Sequence, residues 1–135
     1  MHSVLIVDDE IDVREAIRRV LERAGFSVRA ADGATDALAL LRLQASDVVI
    51  TDIIMPKING VEAIHTLRAE FPQVRIIAIS GGGNFGITHY KPNAITTSAY
   101  LAAAERAGAH YILTKPFESV DLLRAVETVL GVGHA

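Results

Sequence analysis

The chain has 135 residues, half of them hydrophobic but only 5% aromatic, with a net charge of -3 and no cysteine. That length suits one domain with an aliphatic core. The absence of cysteine excludes disulfides and thiolate metal sites and fits a reducing compartment, and the acidic balance gives no electrostatic reason to expect nucleic acid or an anionic membrane as partner.

"MHSVLIVDDE" opens the chain with a short apolar run backed at once by acid, too short for a signal peptide or a membrane span, so a cytoplasmic protein is expected. Within it "SVLIVDD" (3–9) reads as a buried strand. "EIDVREAIRRVLERAG" follows, with Val13, Ala16, Ile17, Val20, Leu21 and Ala24 on one helical face and Gly25 as a C-terminal stop. "FSVRAA" (26–31) is a second, more amphipathic strand, and "GATDALALLRL" (33–43) a second helix. "DVVITD" (47–52) is a third strand, again ending in acid; "IIMPKING" (53–60) is a loop punctuated by Pro56 and Asn59-Gly60. "VEAIHTLRAEF" (61–71) is a third helix stopped by Pro72, and "VRIIAIS" (74–80) a fourth strand. After a glycine-rich stretch a helix resumes as "SAYLAAAERAG" (98–108). "AHYILT" (109–114) is then a fifth strand and "SVDLLRAVETVL" (119–130) a fifth helix.

Strand–helix alternation of this kind predicts an α/β fold, a doubly wound parallel sheet with helices on both faces. The near-continuous apolar strands agree, since such strands are buried on both sides. Of the topologies that right-handed crossovers allow, the flavodoxin-like order 2-1-3-4-5 is expected, with the functional edge beyond the strand carboxyl ends where strands 1 and 3 diverge.

That edge carries the chemistry. Strand 1 ends in Asp8-Asp9, strand 3 in Asp52 and strand 4 in Ser80, while Thr114-Lys115-Pro116-Phe117 follows strand 5. Singly, Asp9 reads as a helix cap, Lys115 as a solvated loop lysine and Ser80 as a strand-end turn former. Jointly, three carboxylates crowded at one gap repel unless a cation or proton compensates. Oxygen ligands of that kind suit Mg²⁺, which leaves places for water and phosphate oxygens. Asp52 is placed as a nucleophile that would form an acyl phosphate, Lys115 as a point charge for a phosphoryl oxygen and Ser80 as a hydroxyl donor to another.

With these residues in view, the chain resembles the receiver domain of two-component response regulators. The likeness runs over essentially its full length, through "VLIVDDE" (4–10), "DVVITDIIMPKINGVE" (47–62), "IIAIS" (76–80) and "GAHYILTKPF" (108–117). The resemblance implies the doubly wound sheet already expected and a phosphoacceptor at Asp52. It implies Mg²⁺ (or Mn²⁺) bound by Asp9, Asp52 and the backbone carbonyl of Ile54, with Asp8 acting through water, and phosphate-sensing roles for Ser80 and Lys115. It also implies a cis Lys115-Pro116 bond. A histidine kinase or a histidine phosphotransfer protein would be the donor. The domain would catalyse only its own acylation and slow hydrolysis, and phosphate on Asp52 would draw in Ser80 and reshape the face formed by the fourth helix, fifth strand and fifth helix. A single receiver domain over 1–135, acting through protein contact or phosphate relay without an output domain of its own, is expected.

Two departures stand out. The position at which the family usually carries a switch tyrosine or phenylalanine holds Ile112, with Tyr111 one residue earlier. Strand alternation points the two to opposite faces, so the aromatic arm is read as missing rather than shifted. The segment at about 81–97 is longer than the family's by about a dozen residues and holds Gly81, Gly82, Gly83, Gly86, Phe85, His89, Tyr90 and Pro92. A lid, a docking surface and a plain solvent loop are its alternatives.

Gly81, Gly83 and Gly86 also satisfy G-x-G-x-x-G, the dinucleotide fingerprint. That fingerprint belongs after the first strand and runs straight into a helix; here it follows the fourth strand, and Pro92 delays the helix. A haloacid-dehalogenase-like phosphatase shares the aspartate, Mg²⁺, hydroxyl and lysine, but needs a second aspartate where this chain has Ile54. Five histidines (2, 65, 89, 110 and 134) lack ligand spacing for zinc, and Asp8, Asp9 and Asp12 lack the alternation and glycine of an EF-hand.

Overall fold

The computed structural model describes residues 2–52, 54–55, 58–80 and 105–131. The glycine-rich segment at 81–97, its fingerprint and the start of the helix at 98–108 lie outside the described residues. Five parallel strands form one sheet: β1 (Ser3–Val7), β2 (Ser27–Ala31), β3 (Val48–Asp52), β4 (Arg75–Ser80) and β5 (Tyr111–Thr114), in the order β2-β1-β3-β4-β5. This is the predicted order. The helices are α1 (Ile11–Arg23), α2 (Ala34–Leu43), α3 (Gly60–Glu70) and α4 (Ser119–Leu130), with residues 105–107 also helical.

Period-two alternation divides the core into two layers. Leu5, Val7, Val49, Ile76 and Ala78 face Ala37 and Leu41 of α2 and Ile64 and Leu67 of α3. Val4, Ile6, Val48, Ile50, Ile77 and Ile79 face Ile17 and Leu21 of α1 and Leu122, Val126 and Val129 of α4. The inner stretches of the central strands, Val4–Val7, Val48–Ile50 and Ile76–Ile79, are therefore continuously apolar because both faces are covered.

Local signals explain where the elements stop. At the end of α1 the Gly25 N–H donates to Glu22 O at 3.0 Å and the Phe26 N–H to Leu21 O at 3.0 Å, with Gly25 at φ +97°. This is a Schellman motif, and Phe26 joins the same apolar cluster as Leu21. Phe26 thus belongs to the helix cap rather than to the second strand. The Glu118 N–H donates to the Asp121 carboxylate at 2.9 Å, closing the first turn of α4.

Two further boundaries differ from the sequence expectation. The predicted loop 53–60 contains a two-stranded antiparallel hairpin, with Ile54 paired to Asn59 and Met55 to Ile58, and Gly60 already opens α3. Two extended residues on each side suffice for a ladder, a signal too short for periodicity to show. The fifth strand begins at Tyr111 rather than Ala109. His110 donates its N–H to Ile76 O at 2.8 Å, but its ring Nδ1, not a backbone carbonyl, accepts the Ile76 N–H at 3.0 Å.

Gly108, at φ +125°, precedes this junction, and a Cβ there would lie 2.3 Å from Cγ of Arg68 on α3. Gly25 has a similar backbone conformation but open space around it. Gly25→Ala is expected to cost about 1–2 kcal/mol, the left-handed penalty alone. Gly108→Ala should cost more, and the excess should vanish in an Arg68→Ala background, as read by urea unfolding. Equal costs for the two alanines would show that the Arg68 approach carries no energy.

Candidate functional site

The β1–β3 pairing sets Val7 beside Thr51, so Asp8, directly after β1, and Asp52, the last residue of β3, emerge together at the carboxyl edge. Asp8 is 1% exposed and Asp52 4%. The Asp8 N–H donates to Ala31 O at 3.1 Å, continuing the β1–β2 ladder by one residue. Asp8 Oδ1 accepts the Glu10 N–H at 2.8 Å, and the Asp8 carbonyl accepts from Arg14 Nη1 at 2.7 Å. The buried Thr51 hydroxyl donates to the Asp52 carbonyl at 3.2 Å.

Lys115, directly after β5, reaches over the end of β4. Its Nζ lies 3.2 Å from Asp52 Oδ2 and 3.9 Å from Asp8 Oδ2. Strand spacing of about 4.8 Å puts β5 roughly 10 Å from β3, a span that needs a side chain of lysine or arginine length. The Lys115-Pro116 peptide bond is cis.

Asp8 Oδ2 is buried and has no hydrogen-bond partner among the described residues. The Asp8 carboxyl is pushed up to about 6, chiefly by burial; the Glu10 N–H works against this, Asp52 adds to it, Lys115 opposes it, and Asp9 adds again. Asp9 itself is exposed. Among the described residues no three His, Cys, Asp or Glu side chains are set to hold a metal ion. The expected convergence of three carboxylates is therefore two, Asp8 and Asp52. Lys115 faces both of these carboxylates. The donor set nevertheless fits a hard divalent cation. All the side-chain donors are oxygens, two buried carboxylates face one lysine, and one buried oxygen is orphaned.

Ser80 closes β4, its backbone paired with Thr114, while Asp52 pairs with Ile79 across the β3–β4 ladder. Ile54, two residues past Asp52, starts the hairpin. Tyr111 packs with the α1/α4 layer and Ile112 with the α2/α3 layer. The strand register is thus regular, and the aromatic is on the other side of the sheet from Ile112. Arg14 is the site residue that sequence reading passed over; its one signal is a cation set one helical turn beyond an acidic pair.

Asp8→Asn is expected to stabilise the protein by about 1–3 kcal/mol at pH 8. A carboxyl whose pKa is raised by folding carries a penalty that is full above about 6 and fades as the pH falls toward the ordinary carboxyl range. The gain from the amide should therefore shrink steadily between pH 7 and pH 4 in urea titrations. A gain independent of pH would assign the effect to packing instead.

The response regulator receiver domain model matches residues 4–127. The chain is 33% identical over 134 residues to the nitrogen assimilation regulatory protein NtrX of Azorhizobium caulinodans, a match covering 95% of this chain and 27% of that protein. It spans only 24–30% of the length of the large regulators of the NtrX, NtrC and DctD type that it matches. Among solved structures, the receiver domain of NtrX from Brucella abortus aligns with a TM-score of 0.81 at 27% identity, covering 96% of this chain and 99% of that one. Vibrio cholerae CheY4 aligns with a TM-score of 0.80 at 27% identity, covering 96% and 98%. Sheet order, strand-end chemistry and these likenesses agree: the chain belongs to the response regulator receiver domains, the phosphorelay signalling modules of two-component systems.

Proposed function

We propose that Asp52 is the phosphoacceptor and that the donor is a phosphohistidine on a histidine kinase or a histidine phosphotransfer protein. The observation that carries this is a buried Asp52 carboxylate held 3.2 Å from Lys115 Nζ beside a second buried acid, Asp8. In the transfer an Asp52 carboxylate oxygen bonds to phosphorus as the phosphorus–nitrogen bond breaks. The bonding pair of that bond stays on the imidazole. Hydrolysis reverses the modification: water attacks phosphorus and Asp52 leaves as a carboxylate. The chain is in this sense a signalling module that catalyses only reactions of its own aspartate.

Mg²⁺ (or Mn²⁺) would be held by Asp9, Asp52 and the Ile54 carbonyl, with Asp8 acting through water, and would neutralise charge that builds on the phosphoryl oxygens. Lys115 supplies a fixed positive charge to one of those oxygens, and Ser80, at the end of the neighbouring strand, supplies a hydroxyl to another. The Asp8 and Asp52 charges also discourage binding of anions until a cation is present. The new charge on Asp52 then biases the fold toward a second arrangement that a downstream protein reads. With Ile112 in place of an aromatic, that reading does not use a ring at this position. The net charge of -3 supports a protein rather than a nucleic acid or a membrane as the direct partner, and the lack of cysteine supports a cytoplasmic setting. No described helix is long and apolar enough to cross a membrane.

The test is incubation with Mg²⁺ and a small phosphodonor, followed by assay for acid-stable, base-labile phosphate. Labelling is expected in the unaltered protein, and should be lost in Asp52→Ala and on chelation of the cation. Undiminished labelling of Asp52→Ala would overturn the assignment.

A further inference from the structure

We infer that Arg14 is a positioning residue that fixes the Asp8–Asp9 peptide plane and so presets the acidic turn for a divalent cation; this rests on the phosphoacceptor reading above. Asp8 is held at three atoms. Its N–H is bonded to β2 through Ala31 O at 3.1 Å, its Oδ1 to the entry of α1 through the Glu10 N–H at 2.8 Å, and its carbonyl to Arg14 Nη1 at 2.7 Å. The first two bonds locate Asp8. The third acts on the peptide unit shared with Asp9, and because that unit is planar, anchoring its oxygen also anchors the Asp9 Cα. Asp9 is exposed, and its Cα is set by the peptide units on either side, the Glu10 N–H bond anchoring one and the Arg14 bond the other.

Arg14 forms no ion pair among the described residues. A half-buried guanidinium one turn from three acids is thus directed at a neutral carbonyl. That choice separates two roles with opposite signs. As a charge, Arg14 repels an incoming cation, so its removal would tighten binding. As an anchor, it holds the turn ready, and its removal would weaken binding.

Calorimetric titration with Mg²⁺ decides between them. Arg14→Ala is expected to bind Mg²⁺ about tenfold more weakly than the unaltered protein, with its thermal midpoint in the absence of the ion little changed. Arg14→Lys, whose ammonium can still donate to the carbonyl, should recover most of that loss. If alanine unfolds the chain, Arg14→Met keeps the apolar stem and should show the same weakening. Affinity in Arg14→Ala or Arg14→Met equal to or tighter than that of the unaltered protein overturns the inference, as does a lysine variant no tighter than the alanine one. If the unaltered protein takes up no Mg²⁺, the phosphoacceptor reading itself fails; if it does and Arg14→Ala matches it, only the role of Arg14 fails.

Discussion

One ammonium holds the functional edge together. Asp8 and Asp52 are nearly inaccessible to water, and burial of two like charges without compensation would be prohibitive. Lys115 is the compensation, and it reaches them across the end of an intervening strand. The arrangement depends on the strand order: β1 and β3 must be neighbours for the acids to meet, and β5 must lie on the same side as β4 for the lysine to arrive. A different order of the same strands would leave each group with only its bland local role.

Lys115 faces both buried carboxylates, yet an oxygen of Asp8 has no hydrogen-bond partner among the described residues. A structural core would not keep such a group, because an apolar side chain of the same volume would be as stable or more so. The cost of the site is offset by the two aliphatic layers around it, whose strands are fully buried from Val4 to Val7 and from Val48 to Ile50. Rigidity of that frame also explains why a hydrogen bond at a turn, such as that of Arg14, can matter to a side chain it does not touch.

Most of this was legible in the sequence because its signals are strong and local. Apolar runs such as "VLIV" and "VVIT" mark buried strands, Gly25 marks a helix end, and acids placed just after strands mark a functional edge. What escaped has physical reasons. The hairpin at Ile54–Met55 and Ile58–Asn59 is shorter than any periodic signal. The exposure of Asp9 depends on how charge is shared in space, which composition does not encode. Arg14 lies on a helix where a cation is ordinary, and only the turn geometry gives it a partner. His110 sits in what reads as strand, yet its ring takes over a backbone acceptor's place.

That last substitution makes the amino-terminal end of the β4–β5 ladder sensitive to protons. Nδ1 of His110 can accept the Ile76 N–H only while it is unprotonated, and the imidazole is held below its ordinary range by burial, with Arg68 and Arg75 adding to the effect. A histidine depressed in this way contributes its stabilisation above the ordinary histidine range and loses it as the pH falls through the lowered value. Acidification therefore weakens the β4–β5 ladder at the edge opposite the aspartates. Fraying there would reach β5, the strand that carries Lys115, from its far end, while protonation of Asp8 at the near end relieves charge.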